Sequence, residues 1–165
     1  MRRIAALLLI AATLPSCGLQ PLYAGGGTGV AASGLDRIAV ADMPGRAGWL
    51  MKAALTDRLR PSGEPVWRLE VALDDQIAGF GIRSDYAVTR ERRTLRARYR
   101  LVDAAQGTVL LDATAGSDAG VDVVSSDYAT IAAEQTALER LTQEVAQQIT
   151  TRLALYVRRT AAAGK

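Results

Sequence analysis

Residues 86–102 set the tightest limit on what this chain can fold into. The odd positions Leu95, Ala97, Tyr99 and Leu101 are apolar. The even positions Arg90, Arg92, Arg96, Arg98 and Arg100 are arginine, with Thr94 in the same file. In a strand, successive side chains point to opposite faces. One face of this strand is therefore built for burial and the other for water or a polar partner. A sheet with that pattern is covered on one side only.

The neighbouring segments agree. Residues 66–77 set Trp67, Leu69, Val71 and Leu73 against Arg68, Glu70, Ala72 and Asp74, which again reads as a strand. Gly79-Phe80-Gly81 then reads as a bulge or a bend. Residues 103–107 form a hairpin turn ending in glycine. Residues 108–115 return as a strand, with Val109, Leu111 and Ala113 toward the core and Asp112 placed to meet an arginine. Residues 116–124 read as a loop.

Upstream, residues 35–41 make a short strand and Pro44-Gly45 a turn. A helix follows over 46–60, with Met51, Leu55 and Leu59 as its apolar stripe. Pro61-Ser62-Gly63 stops it. Downstream, one long helix over 126–159 buries Ile131, Leu138, Val145, Ile149, Leu153 and Tyr156, spaced three, four or seven apart. The reading is an α+β fold: two helices packed on one face of a four-stranded mixed sheet, in the order β-α-β-β-β-α.

The N-terminus is of another kind. Met1-Arg2-Arg3 is positive, and residues 4–14 are apolar except for Thr13. That run is too short to cross a bilayer, which takes about 20 apolar residues. It has the layout of a signal peptide, and Leu14-Pro15-Ser16-Cys17 resembles a lipobox. The Cys17 thiol would carry a diacylglyceryl group and the new amino group a further acyl chain. A single chain anchors only marginally, whereas three hold firmly. The chain thus divides into a lipoprotein signal peptide (1–16), a lipidated flexible tether (17–34), one α/β sandwich domain (35–160) and a frayed tail (161–165). Six glycines in the tether favour a coil, but Leu19-Gln20-Pro21-Leu22-Tyr23 is too apolar for a plain linker.

Composition removes several function classes. There is no histidine, so a Ser-His-Asp triad cannot be assembled. Lys52 is the only lysine placed for a Ser-Lys pair, and Asp74, Asp75 and Asp85 suit strand ends and turns better than acid–base work. With Cys17 acylated, no thiol remains for a disulfide. Removing Arg2 and Arg3 takes 20 basic residues to 18, against 17 acidic. A nearly neutral chain is not a general nucleic-acid binder, and nothing calls for a cofactor or metal.

Six arginines lie between residues 90 and 100, five of them in one file. Like charges side by side repel unless anions or acids are near. Guanidinium groups about 7 Å apart along a strand suit a diphosphorylated lipid headgroup, because arginine binds phosphate through a fork. The alternative is a solvated edge strand whose charges prevent sticking, relieved by Asp74, Asp112 and Glu91.

Cys17-Gly18-Leu19-Gln20-Pro21-Leu22-Tyr23 resembles the start of the LPS-assembly lipoprotein family, the LptE/RlpB type, and the order of elements is similar to that family's. The resemblance implies a non-enzymatic lipoprotein anchored in the outer membrane and facing the periplasm. It implies a partner, the LPS translocon β-barrel LptD, which the protein plugs and helps to assemble, and a role in delivering lipopolysaccharide. The residues it assigns to lipopolysaccharide or partner contact are Arg90, Arg92, Arg96, Arg98 and Arg100. The rival readings are an auxiliary lipoprotein of a lipid-transporting ABC system and a lipid-anchored enzyme.

Overall fold

Three long strands carry the sheet, and parity explains their faces. The computed structural model describes residues 32–82 and 88–163. The signal peptide, Cys17 and nearly all of the tether lie outside the described residues. Strands β2 (Trp67–Ile82) and β3 (Val88–Asp103) form an antiparallel ladder from Trp67↔Asp103 to Ile82↔Val88. Strand β4 (Val109–Asp122) runs antiparallel on the far side of β3. The three-residue β1 (Ile38–Val40) pairs in parallel with the start of β2. The sheet order is β1-β2-β3-β4, so β3 is an interior strand and not an edge.

Two helices cover one face, and a one-turn helix precedes them. Helix α1 (Ala32–Leu35) occupies residues read as the tether end and the start of a strand. Gly34 packs against Val157 of the C-terminal helix, where an added Cβ would collide with Cγ1 of that valine. Only glycine allows that approach, and it seats Leu35 in the core. Helix α2 (Gly45–Leu59) ends at Arg60, which adopts the left-handed conformation and donates its N–H to the Thr56 carbonyl at 2.9 Å. Arg60 thus caps the helix rather than extending it. Helix α3 (Asp127–Ala163) runs past the tail expected at 161. Ala161, Ala162 and Ala163 have the highest helix propensity of any residue type.

The core forms where the odd side of the strands meets the helices. Leu69, Leu95, Ala97, Tyr99 and Leu101 pack against Met51, Leu55 and Leu59 of α2 and Leu138, Leu141, Val145, Ile149 and Leu153 of α3. Thr142 and Thr150 are buried among them and donate their hydroxyls to the Leu138 and Ala146 carbonyls at 2.7 and 2.8 Å, so neither threonine hydroxyl is stranded there. The 37-residue α3 measures about 55 Å at 1.5 Å per residue. The 16-residue β3 spans about 53 Å. The helix and the longest strand are therefore nearly equal in length.

Several local expectations are corrected. Gly79-Phe80-Gly81 is neither bulge nor bend: Gly79↔Glu91 and Phe80↔Arg90 continue the ladder in register. Residues 116–122 are strand, not loop, because β3 extends far enough to pair with them, as in Thr94↔Asp118. Pairing overrides the weak strand propensity of Gly116, Ser117, Asp118 and Gly120. Val109 leaves the core and is exposed, because a register shift between Leu101 and Val102 pairs it with Val102. Ile131 is also exposed, and Tyr156 is only half-buried.

Candidate functional site

The uncovered face of the sheet collects the charged residues. Arg90, Arg92, Arg96, Arg98 and Arg100 are all exposed there. Register decides what each meets. Arg90 donates through Nε to Asp122 at 2.9 Å, and Arg92 lies 3.9 Å from Asp118. Arg98 grips Asp112 through Nε and Nη2 at 3.1 and 2.8 Å. Arg100 reaches Glu70 at 2.9 Å, and Glu70 also holds Arg68. The Arg92 guanidinium also lies over the Phe80 ring, 5.2 Å from its centroid.

The relief of like-charge repulsion therefore comes from both neighbouring strands. Of the acids read from the sequence, Asp112 takes the expected part. Asp74 instead accepts from the Gln76 amide at 3.0 Å, and Glu91, at an odd position, lies on the helix side. Asp118, Asp122 and Glu70 supply the remaining pairs. The Arg98 fork holds the Asp112 carboxyl below its ordinary range, and Asp112 raises Arg98 in return.

Arg96 differs from the rest of the file. Among the described residues it forms no ion pair, although Asp74 and Gly116 flank it in register. It lines a shallow depression of about 490 Å³ together with Asp74, Arg98, Thr114 and Gly116. The file is thus a partly neutralised surface with one guanidinium left over.

A second ionic cluster sits on the helix side, and sequence reading missed it. Arg93 donates through Nε and Nη2 to both Asp75 carboxylate oxygens at 2.9 and 2.6 Å, and through Nη1 to the Glu134 carbonyl at 2.8 Å. The Arg93 side chain is 11% exposed and that of Asp75 23%. The clamp ties β2, β3 and α3 together. The signal was present: Arg93 and Asp75 are both charged residues in the apolar phase of their strands. Beside them, burial and the nearby Glu134 push the Glu91 carboxyl up.

The carboxylates considered for acid–base work do not converge. Asp74 and Asp75 point to opposite faces, and Asp85 lies outside the described residues. Lys52 pairs with Asp42. Among the described residues no helix is long and apolar enough to cross a membrane.

The family model "LptE: Lipopolysaccharide-assembly" matches residues 35–153, which take in β1, α2, the three long strands and most of α3. The chain belongs to the LptE lipopolysaccharide-assembly family. LptE proteins are non-enzymatic envelope lipoproteins, which fits a domain whose charged residues pair across strands instead of around a cleft. Among solved structures, a candidate lipoprotein from Caulobacter crescentus is 28% identical, with a TM-score of 0.68, covering 81% of this chain and 98% of its own. Lipoprotein B from Nitrosomonas europaea shares the fold at 13% identity and a TM-score of 0.57, covering 73% of this chain and 82% of its own. A minor lipoprotein from Acinetobacter baumannii does so at 13% identity and a TM-score of 0.54, covering 72% and 88%. No curated protein matches the chain.

Proposed function

We propose that this LptE-family chain is a lipoprotein of the outer membrane, acylated at Cys17 and facing the periplasm. It plugs the LptD-type β-barrel, assists its assembly and helps to deliver lipopolysaccharide to the outer leaflet. The observation that carries the reading is the family match over residues 35–153, joined to a sheet face whose arginine file is open to solvent. In this reading the file meets lipopolysaccharide phosphates or the polar wall of the barrel. Exposed ion pairs are screened by water and salt, so a phosphate can displace Asp112, Asp118 or Asp122 at little cost. Arg96 has no described carboxylate to give up, and it is the first anchor for such a group.

The test is purification of the outer membrane with a tag on this chain. Co-purification of a large barrel protein, with lipopolysaccharide retained, is the expected result. Recovery of an ABC transporter complex without a barrel would replace this reading with the rival one. Changing Arg96, Arg98 and Arg100 together to Gln should weaken lipopolysaccharide binding at least tenfold. Unchanged binding would remove the arginine file from the mechanism. Mass spectrometry of the mature protein tests Cys17: an unmodified thiol refutes the anchor.

A further inference from the structure

The two outer edges of the sheet are treated differently. On β4, Gly116 turns its peptide groups outward, and Gln148 of α3 meets both. The Gly116 N–H donates to Gln148 Oε1 at 3.4 Å, and Gln148 Nε2 donates to the Gly116 carbonyl at 3.2 Å. A side-chain amide thus stands where another strand would bond. The opposite edge, on β2, is bare among the described residues beyond its first three positions. Strand β1 pairs only with Trp67, Arg68 and Leu69, and the last bond at that junction runs from the Ala41 N–H to the Leu69 carbonyl at 2.9 Å.

That bond fixes the phase of the rest of the edge. The Leu69 carbonyl points toward β1, away from β3. The ladder with β3 continues without a shift, so Val71, Leu73, Asp75, Ile77 and Gly79 point their N–H and C=O groups the same way. No described strand pairs with them. Residues 74–80 are all exposed. Asp75 is exposed as a residue although its side chain is only 23% exposed, because the open part is main chain. Natural edges are guarded by lysine, proline, a bulge or inward-facing charge, and here the inward-facing charge of Asp75 is neutralised by Arg93. Residues 70–82 contain neither lysine nor proline, and the ladder shows no bulge.

We propose that the β2 edge, from Val71 to Gly79, is a strand-addition site for an extended segment of another polypeptide. The segment carries a basic residue toward Asp74 and an apolar residue over Ile77. The main chain supplies the affinity in this mode, and alternate side chains supply the choice of partner. Asp74 is an exposed acid bound only to the Gln76 amide among the described residues. Ile77 is 44% exposed on the other face. Two such neighbours of opposite character call for an alternating basic and apolar partner. Charge also argues against a second copy of this chain. Residues 69–82 hold Glu70, Asp74 and Asp75 and no base, so pairing two copies would bring like charges together. The inference does not depend on the barrel or lipopolysaccharide reading.

The experiment uses the full chain and a ten-residue peptide alternating arginine and valine, with a glutamate–valine peptide as control. Amide hydrogen exchange and fluorescence anisotropy are read together. In the free protein the amides of Val71, Leu73, Asp75, Ile77 and Gly79 should exchange fast, while the even amides of β2 are protected by β3. The arginine peptide should slow those five at least tenfold and bind at least tenfold tighter than the glutamate peptide. Ile77→Pro removes an outward N–H that β3 does not use, so it should abolish binding while the even amides stay protected. Asp74→Lys, which leaves the backbone untouched, should invert the charge preference. Odd amides that stay fast with peptide bound would overturn the proposal. So would odd amides already protected in the free chain, whether its own N-terminal segment or a second copy seen in sedimentation is responsible.

Discussion

Replacing Arg93 with Ala removes the clamp between β2, β3 and α3 and leaves the Asp75 carboxylate largely covered and unpaired. Breaking a fully buried pair from one side costs about 3–5 kcal/mol. Here the side chains are 11% and 23% exposed, so water recovers part of that, and about 2–3 kcal/mol remains. Unfolding entropy is about 2.1 cal/mol/K per residue, so over roughly 130 residues the loss lowers Tm by about 7–11 °C. The comparison is Arg98→Ala, whose pair with Asp112 is 67% and 37% exposed; water and salt screen an exposed pair of that kind, so its loss should move Tm far less. Both are read by thermal and urea denaturation of the full chain. A double-mutant cycle with Asp75→Asn should show a coupling of about 1–2 kcal/mol. Arg93→Lys should recover only part of the loss, since an ammonium cannot fork to Asp75 and also reach the Glu134 carbonyl. If Arg93→Ala and Arg98→Ala cost the same, the distinction drawn between the two faces is wrong.

Two further outcomes are expected. Leu141→Ala removes a side chain that is 1% exposed where α3 meets the sheet; it should cost about 2–5 kcal/mol in urea denaturation. Glu91 has a folded-state carboxyl raised above its ordinary value of 4.5 by burial and by Glu134. A raised acid binds more protons folded than unfolded, so its contribution to stability falls as pH rises through and above that value. Glu91→Gln should therefore raise Tm at about pH 7 and have little effect at about pH 4; a pH-independent difference would contradict the assignment.

Parity made the sheet legible. Leu95 to Leu101 and the arginine file declared both faces of β3, and the spacing of Met51, Leu55 and Leu59 placed α2. What escaped depended on partners distant in sequence. Residues 116–122 look like a loop when read alone and become strand only because β3 is long enough to pair with them. Val109 needed a register shift that no local pattern signals. The acids opposing each arginine depended on two registers at once, so Asp118 and Asp122 went unnoticed while Asp74 and Glu91 were credited. Arg93 and Asp75 were legible in principle, since charge in the apolar phase of two adjacent strands asks for mutual neutralisation. The family was legible in the segment around Cys17 and in the order of elements, although the match itself begins at residue 35.

The equal reach of α3 and the long strands restricts how such a domain can change size. One residue added within α3 turns everything after it by about 100°, which would swing Ile149 and Leu153 off the sheet. One residue added to a strand exchanges its two faces. Two residues in each of β2, β3 and β4 lengthen the sheet by about 6.6 Å, and four residues of helix advance by about 6 Å, close to a full turn. Growth in that coupled step keeps every side chain on its own side. Viable insertions should therefore arrive as matched sets across the strands and the helix, and solitary ones should be confined to the chain ends and the connections.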